Sequence, residues 1–385
     1  MRSQLKILST LFFLLILLGQ CKQTYVSPYK SPATGYLVVE GFIAKGPTRF
    51  TLSRVISLPG DSSLPMVTGA TVQVEGNDNS TFPLAENGSG VYSADTLPLI
   101  PTAQYRLRIQ MGGQTYLSDF TAYRPSPAID SINWIQQSDG VHIFANTHDP
   151  ANGTRYYQWQ FDEVWQYHSA EFSYFKYQPA GPGFPRDTAV QRADSEFVYN
   201  CWSNAVSTPL LLGTSTKLAQ DVIYRQPLQI IYDGTQRLDE LYSILVRQYA
   251  LTEDAYNYLS LMKSNTESLG SIFDAQPSTL KGNIHCVTNP GEPVVGYVST
   301  GSIQQQRIFI NRSQLSSWGY SINCDKGDIF VPVGKEDSFF KFGSYTPLYD
   351  EHRGGKLAGW YANQNTCIDC RTQGGNTNKP SFWPN

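Results

Sequence analysis

Short runs in which apolar and polar residues alternate constrain the fold of this 385-residue chain more than any other feature. In residues 68–75, Ala70, Val72 and Val74 fall on one side of such a run, and polar residues fall on the other. Successive side chains of a β-strand point to opposite faces, so this period of two predicts a strand with one buried face. Residues 76–79 carry a Gly-Asn-Asp-Asn turn signal that ends the strand.

Seven or so short strands of this kind follow one another between residues 36 and 121. Short strands at regular spacing are typical of a β-sandwich, so we predict one sandwich over residues 33–123. Three motifs lie on these strands: PMVTGATV at residues 65–72, GVY at 90–92 and YRL at 105–107. In this order they resemble an immunoglobulin-like (Ig-like) module of exported Bacteroidota proteins. Such modules are spacers and platforms more often than catalysts.

A Pro-rich break at residues 124–127 separates this part from a larger one. Beyond it we predict an antiparallel β domain over residues 127–385 with one clear helix near residues 252–265. Thr252 is a suitable N-cap, and the acidic residues after it suit the positive end of a helix dipole. The predicted fold class is therefore mainly β: an N-terminal Ig-like β-sandwich followed by a larger antiparallel β domain with one clear helix.

Two further segments of the larger part need tertiary information. Residues 239–249 fit a weak helix or a strand equally well, because apolar residues recur at both spacings. Residues 294–298 and 307–310 are both strand-like, and only a short polar stretch separates them. We predict that these two runs pair with each other.

Aromatic side chains dominate the start of the larger part. Tyr157, Trp159 and Phe161 alternate with polar residues, which predicts a strand whose large side chains fill a core. The alternative is an exposed aromatic platform for a peptide or a glycan. Tyr174 and Tyr177 are the candidate binding aromatics, because the Pro- and Gly-rich residues 178–185 follow them and favour an exposed loop.

The first twenty residues have the properties of an export signal. Arg2 and Lys6 precede an apolar stretch over residues 7–18, which is shorter than the roughly 20 residues that a spanning helix needs. The sequence LGQC at residues 18–21 resembles a lipobox, although Gln20 stands where a small residue is usual. We therefore predict a signal peptide over residues 1–20, lipidation of Cys21 and a lipid tether over residues 21–32. A plain signal peptide, with Cys21 as an ordinary cysteine, is the alternative.

Lys22 favours sorting to the outer membrane, because an aspartate after the lipidated cysteine is the inner-membrane signal in some bacteria. The sequence leaves open whether the protein faces the periplasm or the cell surface.

Five cysteines follow Cys21, and export to an oxidising compartment favours disulfides between them. Their pairing is open, and an odd number leaves one thiol over. The disulfide candidates are Cys201, Cys286, Cys324, Cys367 and Cys370.

Cys367 and Cys370 also have the C-x-x-C spacing of half a zinc site or of a redox motif. A zinc site needs a second pair of ligands, and the sequence offers none at a suitable spacing. A redox motif would precede a helix, whereas two glycines and an Asn-rich tail follow here. Structural disulfides remain the favoured interpretation, with inert thiols as the next alternative.

Several short motifs in a fixed order carry a family resemblance. They are SILVRQY at residues 243–249, GSIFD at 270–274, GNI at 282–284, CIDCR at 367–371 and KPSFW at 379–383. With the lipobox and the N-terminal module, they resemble a Bacteroidota outer-membrane lipoprotein family known only as a domain of unknown function (number four-two-four-nine). The resemblance extends over nearly the whole mature chain. Members are often encoded beside TonB-dependent transporters, which implies an accessory role and assigns no catalytic residue.

No motif of a known chemistry stands out from the sequence. The five histidines lack paired metal spacing, and neither a P-loop nor a dinucleotide fingerprint occurs. A pI near 6.0 offers no basic surface for nucleic acid. We therefore predict a non-catalytic binding or accessory subunit without metal or cofactor, held at the membrane by its lipid and partnered by a TonB-dependent outer-membrane protein. The alternatives are a surface adhesin or structural envelope protein, and a glycan or peptide hydrolase.

Overall fold

The structure is a computed structural model that describes residues 35–55, 65–267, 281–322, 324 and 327–384. The predicted signal peptide, Cys21, the tether and the motif at residues 270–274 lie outside the described residues. Strands make up 51% and helices 12% of the described residues, so the prediction of a mainly β fold is confirmed.

The first eight strands of the described residues are β1 (Leu37–Ala44), β2 (Gly46–Arg54), β3 (Thr71–Gly76), β4 (Thr81–Glu86), β5 (Val91–Leu97), β6 (Gln104–Met111), β7 (Gln114–Ser118) and β8 (Thr121–Ala122). The middle of the chain contributes β9 (Ile129–Gln137), β10 (Gly140–His148), β11 (Tyr156–His168), β12 (Phe175–Gln178), β13 (Thr188–Gln191), β14 (Asn200–Val206), β15 (Leu211–Thr214), β16 (Val222–Tyr232) and β17 (Leu241–Leu251). The last strands are β18 (Ile284–Cys286), β19 (Val294–Val295), β20 (Thr300–Gly301), β21 (Ile303–Asn311), β22 (Ile329–Pro332), β23 (Tyr345–Arg353) and β24 (Lys356–Gln364).

One long helix and several short helical turns complete the described chain. They are α1 (Glu253–Glu267), α2 (Asn365–Ile368), the 3₁₀ turns Asp194–Glu196, Gln236–Leu238, Arg312–Gln314 and Cys370–Gln373, and the π turn Asp337–Lys341. Helix α1 is the predicted one. The Ala255 backbone N–H donates to Thr252 Oγ1 over 3.2 Å, so Thr252 caps the helix as its residue type predicts.

Strands β1–β8 form two facing layers around one core. Strand β4 joins them, because its first residues pair with β3 and its last residues pair with β5. Val72 and Val74, which the alternation placed on the inner face, are 1% and 0% exposed. This arrangement is consistent with the predicted sandwich, and the Ig-like character stays a prediction.

Three late strands add to this first sandwich. Strand β18 pairs with β7, and β19 and β20 pair in parallel with β1. The predicted pairing of residues 294–298 with 307–310 is therefore wrong. Strand β21 instead pairs with β17 along nine register positions, a far longer ladder than the two-residue β19 offers. Residues 284–301 thus join a sheet of residues 37–122, which the predicted division at the 124–127 break does not include.

A second sandwich follows the Pro-rich break. One layer holds β9, β10 and β16, and the other holds β11, β14, β15, β17 and β21. Residues 239–249, ambiguous in sequence, lie mostly in β17, which is a central strand of the second layer. Tyr157, Trp159 and Phe161 are at most 2% exposed and belong to the core between the layers, so the core interpretation of this stripe is confirmed.

A small third sheet closes the chain, with strand order β22-β24-β23. Val331, Trp360 and Ala362 fill its buried face and pack with residues of the β12–β13 hairpin. Side chains of the opposite face alternate with these three along β22 and β24. The third sheet therefore presents a second face away from its own core.

Candidate functional site

Two disulfides tie the C-terminal segment to the rest of the described chain. Cys201 bonds to Cys370, and Cys324 bonds to Cys367. The two cysteines of the C-x-x-C motif thus have different partners, so they form neither a redox pair with each other nor half of a zinc site. Structural disulfides, the favoured interpretation of the sequence, are confirmed for these four residues.

Cys286, the fifth disulfide candidate, is the thiol that the odd number of cysteines leaves over, and it forms no disulfide. Its thiol is free and buried in the first sandwich at 2% exposure. The sulfur lies 3.5 Å from Gln114 Oε1 and 3.5 Å from Thr288 Oγ1. Strand β18 carries Cys286 into a sheet that contains none of the other four cysteines, so no disulfide partner is close to it.

Tyr174, a candidate binding aromatic, is 51% exposed. Its ring makes an edge contact with Phe172, with 4.8 Å between the centroids, and Phe172 also contacts Phe197 and Tyr199. The Tyr174 backbone N–H donates to the Leu348 carbonyl on β23 over 2.9 Å. Tyr174 is therefore an exposed ring at the edge of an aromatic cluster beside the third sheet.

Tyr177, the other candidate aromatic, is half-buried against the core of the third sheet. Its hydroxyl donates to Asp187 Oδ2 over 2.9 Å, and burial together with this carboxylate raises the pKa of Tyr177 to about 12. The hydrogen-bonding capacity of the hydroxyl is thus used within the loop that follows. Tyr177 holds the β12–β13 hairpin together, and it is the weaker of the two as a ligand contact.

The outward face of the third sheet carries a row of three aromatic rings. Phe330, Tyr361 and Tyr349 are cross-strand neighbours on β22, β24 and β23. The ring centroids are 5.6 Å apart for Phe330 and Tyr361, and 5.0 Å apart for Tyr361 and Tyr349. Gly359 lies beside the row, where a Cβ atom would meet the Val331 carbonyl oxygen of β22 first and would also lie 2.9 Å from the Phe330 ring. Tyr349 is 43% exposed at the edge of the row.

Two carboxyl groups and an amide lie beside this row. Asn363 is fully buried and donates through Nδ2 to Glu171 Oε1 over 2.9 Å and to Asp328 Oδ1 over 3.2 Å. The Tyr349 hydroxyl donates to Asp328 Oδ2 over 3.5 Å. Asp328 is exposed, whereas Glu171 is half-buried. We call Glu171, Asp328, Tyr349 and Asn363 the tyrosine–acid site.

The closeness of the two carboxyl groups changes the acidity of one of them. Burial and the negative charge of Asp328 raise the pKa of Glu171. Glu171 Oε2 is buried and has no hydrogen-bond donor among the described residues, although Asp328 is within hydrogen-bond reach of Glu171. A proton on Glu171 would satisfy this contact. The contact with Asp328 therefore favours the protonated form of Glu171 over the charged form.

The family comparison supports the resemblance found in the sequence. The model of a family described as "Domain of unknown function (DUF4249)" matches residues 23–307, which is more than half of the chain. The chain belongs to this family. No curated protein matches it.

The match with this family ends before the C-terminal motifs quoted above. It contains Glu171 and Tyr174, whereas Asp328, Tyr349 and Asn363 follow the matched segment. The tyrosine–acid site thus combines one residue of the matched segment with three residues that lie beyond it.

Sequence reasoning missed the tyrosine–acid site because its residues are distant in the chain. The antiparallel pairing of β23 with β24 and the Cys324–Cys367 disulfide bring the last three of them together. The Glu171 backbone N–H donates to the Cys367 carbonyl over 3.0 Å, which places Glu171 beside them. One signal was present in the sequence. Gly359, Tyr361 and Asn363 alternate with Trp360 and Ala362, which fill the core of the third sheet. This period of two indicates a strand whose other face is also packed or functional.

A polar groove of about 420 Å³ lies on the first sandwich beside the turn at residues 76–79. The turn uses its own polar groups, because Asp78 Oδ1 accepts from the Ser80 backbone and Asn77 Oδ1 accepts from the Gln104 backbone. Arg106 pairs with Glu75 at 2.7 Å over the groove. These groups satisfy one another, so the groove is a weaker candidate than the tyrosine–acid site.

Two general properties bear on the site. In the part of the chain that the structure describes, no three His, Cys, Asp or Glu side chains are grouped as metal ligands. Helix α1 and the shorter helices of the described ranges are not long and apolar enough to cross a bilayer.

Proposed function

We propose that this protein is a lipid-anchored outer-membrane lipoprotein that acts as a non-catalytic binding or accessory subunit of a TonB-dependent transporter. The tyrosine–acid site is the single observation that carries the binding role. It combines an exposed ring with exposed hydrogen-bonding groups on a sheet that a disulfide fixes in place. A rigid, partly apolar surface with a few placed polar groups is what ligand sites have in common.

The membrane anchor and the compartment rest on the sequence and on the cysteines. The LGQC motif at residues 18–21 supports lipidation of Cys21, and Lys22 supports sorting to the outer membrane. Two disulfides suit an exported protein, because cytosolic thiols are kept reduced. The transporter as partner rests on the family resemblance. The choice between the periplasmic and the cell-surface face stays open.

The test is affinity purification of the tagged protein from detergent-solubilised outer membranes of its native host, followed by mass spectrometry. We expect a TonB-dependent barrel in stoichiometric amount. A Cys21→Ser variant, which cannot be lipidated, is the control and should leave the outer-membrane fraction. Recovery of the lipoprotein alone, under conditions that preserve a known transporter–lipoprotein pair, would contradict the accessory role and favour an adhesin.

A hydrolase is the remaining alternative, and the Glu171–Asp328 pair is its candidate acid–base group. The two carboxyl groups are in hydrogen-bond reach, closer than the roughly 5 Å that retaining glycosidases use, so their spacing does not favour glycoside hydrolysis over binding. Release of reducing sugar or of peptide that Asp328→Asn abolishes would establish this alternative.

A further inference from the structure

The exposed ring of the tyrosine–acid site is held in a fixed orientation. Tyr349 stacks on Tyr361 with planes 26° apart, so one face of its ring is already covered. Its hydroxyl is directed at Asp328. At 43% exposure, the remaining ring surface is open to solvent, while the stack on Tyr361 restricts the orientation of the ring. A pre-oriented ring loses little conformational entropy on binding, which favours its use as a contact surface.

Hydrogen-bond acceptors of defined position lie beside that ring. The Asp328 carboxylate is exposed, and its contacts with Asn363 at 3.2 Å and Tyr349 at 3.5 Å are long. It is also within hydrogen-bond reach of Glu171. An ionised carboxylate can accept up to about four hydrogen bonds, so capacity remains for donors from outside. Glu171 does not face solvent to the same extent. It acts through Asn363 and Asp328 as a positioning residue.

Charges of both signs flank the aromatic row. The Arg353 guanidinium lies 5.0 Å from the centre of the Phe330 ring, and its side chain is 67% exposed. Its Nε also lies 3.9 Å from Glu351 Oε1, so this positive charge has a carboxylate beside it. The carboxyl groups of Asp328 and Glu171 lie on the other side of the row. A cationic ligand spanning the row would meet Arg353, and an anionic one would meet the carboxyl groups. The face therefore favours an uncharged ligand that both donates and accepts hydrogen bonds.

We propose that the tyrosine–acid site binds a neutral carbohydrate, with a sugar ring stacked on Tyr349 and hydroxyl groups bonded to Asp328. The C–H face of a pyranose is weakly positive and suits the negative face of an aromatic ring. Sugar hydroxyls donate to the carboxylate and accept from Arg353. This inference rests on the proposed binding function and names its ligand class.

The test uses residues 21–385 with Cys21→Ser, so that the chain is soluble and otherwise complete. Saturation-transfer NMR and calorimetry would measure binding of maltohexaose, cellohexaose, laminarihexaose and xylohexaose. We expect at least one of them to bind, and Tyr349→Ala to weaken that binding by about tenfold or more. Asp328→Asn should weaken it while leaving the ring contact. Tyr224→Ala is the matched control, because Tyr224 is 77% exposed on β16 of another sheet.

Tyr349→Leu replaces the first variant if Tyr349→Ala does not fold, because leucine keeps apolar volume without an aromatic face. Absence of binding to all four hexasaccharides overturns the inference, and so does a Tyr349 variant that binds as tightly as the parent. The transporter experiment separates the two proposals. A barrel that co-purifies with a protein unable to bind sugars leaves the accessory role standing and overturns only the ligand class.

Discussion

Asn363 donates to Glu171 Oε1 over 2.9 Å and holds this carboxyl group beside that of Asp328. A fully buried neutral amide thereby joins β24 to the segment before β12 and to the residue before β22. Paired carboxylates repel one another, so their closeness needs either a proton or compensating donors. The amide supplies two donor contacts, and burial together with the charge of Asp328 raises the pKa of Glu171.

The pH dependence of stability is the first prediction. A carboxyl group whose pKa is raised on folding binds more protons in the folded state, so its contribution to stability decreases as pH rises. We expect part of the free energy of unfolding to be lost as the pH rises above 4.5, the ordinary pKa of a glutamate, and passes through the raised pKa of Glu171. Urea unfolding of Glu171→Gln, compared with the parent at several pH values, should show a weaker decrease over this range.

Asp328→Asn is the matched variant for that experiment, because it removes the neighbouring charge and leaves Glu171 and its burial in place. It should weaken the pH dependence by less than Glu171→Gln does, since burial is the larger cause of the raised pKa. Asp194→Asn changes an exposed carboxylate elsewhere and should not. Identical pH profiles for Glu171→Gln and the parent would contradict the raised pKa of Glu171.

The two disulfides should differ in their contribution to stability. Cys201–Cys370 spans 169 residues and Cys324–Cys367 spans 43. In the chain-entropy account the longer loop stabilises more, by about 1 kcal/mol, within a usual range of about 2 to 5 kcal/mol. Denaturant unfolding of the Cys201→Ser/Cys370→Ser and Cys324→Ser/Cys367→Ser double variants measures both losses. A larger loss for the shorter loop would contradict the entropic account here.

The number of reactive thiols tests the cysteine assignment directly. In residues 21–385 with Cys21→Ser, only Cys286 is free, and it is 2% exposed. We expect no thiol to react in the folded protein and one to react in denaturant without reductant. Five thiols after reduction complete the count. Two or more reactive thiols before reduction would refute one of the disulfides.

Loss of the hydrogen bond between Tyr242 and the buried Glu163 should lower the stability of the second sandwich. This carboxylate is 2% exposed and accepts from the Tyr242 hydroxyl over 2.5 Å, with Gln229 and Arg237 as further neighbours. Tyr242→Phe leaves a buried charge with one donor fewer, which costs about 1 to 3 kcal/mol. Thermal or urea unfolding measures the loss. Tyr232→Phe, 61% exposed on β16, is the control and should change stability little.

Local patterns were reliable wherever one side of an element is buried. The alternation at Val72 and Val74 predicted a buried face, and the odd-numbered stripe from Tyr157 to Phe161 predicted a core strand. Thr252 predicted the start of α1. These features depend on neighbours two to four residues away, and the sequence displays those neighbours directly.

Long-range pairing was not visible in the same way. Residues 294–298 have the composition of a strand, but which strand they join depends on the free edge of β1. The pairing of Cys201 with Cys370, and the exclusion of Cys286 from any disulfide, depend on which sheet carries each cysteine. The sequence alone does not specify which strands or which cysteines pair, because several candidate partners are chemically equivalent.

The sequence by itself determined that the chain is mainly β, where its long helix begins, and that its cysteines suit export. Only the tertiary structure decided that β18–β20 return to the first sandwich and that Glu171 meets Asp328. The physical reason is the range of the interactions. Alternation and capping act within one element, whereas register, disulfide pairing and the interaction of the two carboxyl groups arise between segments that folding alone brings into contact.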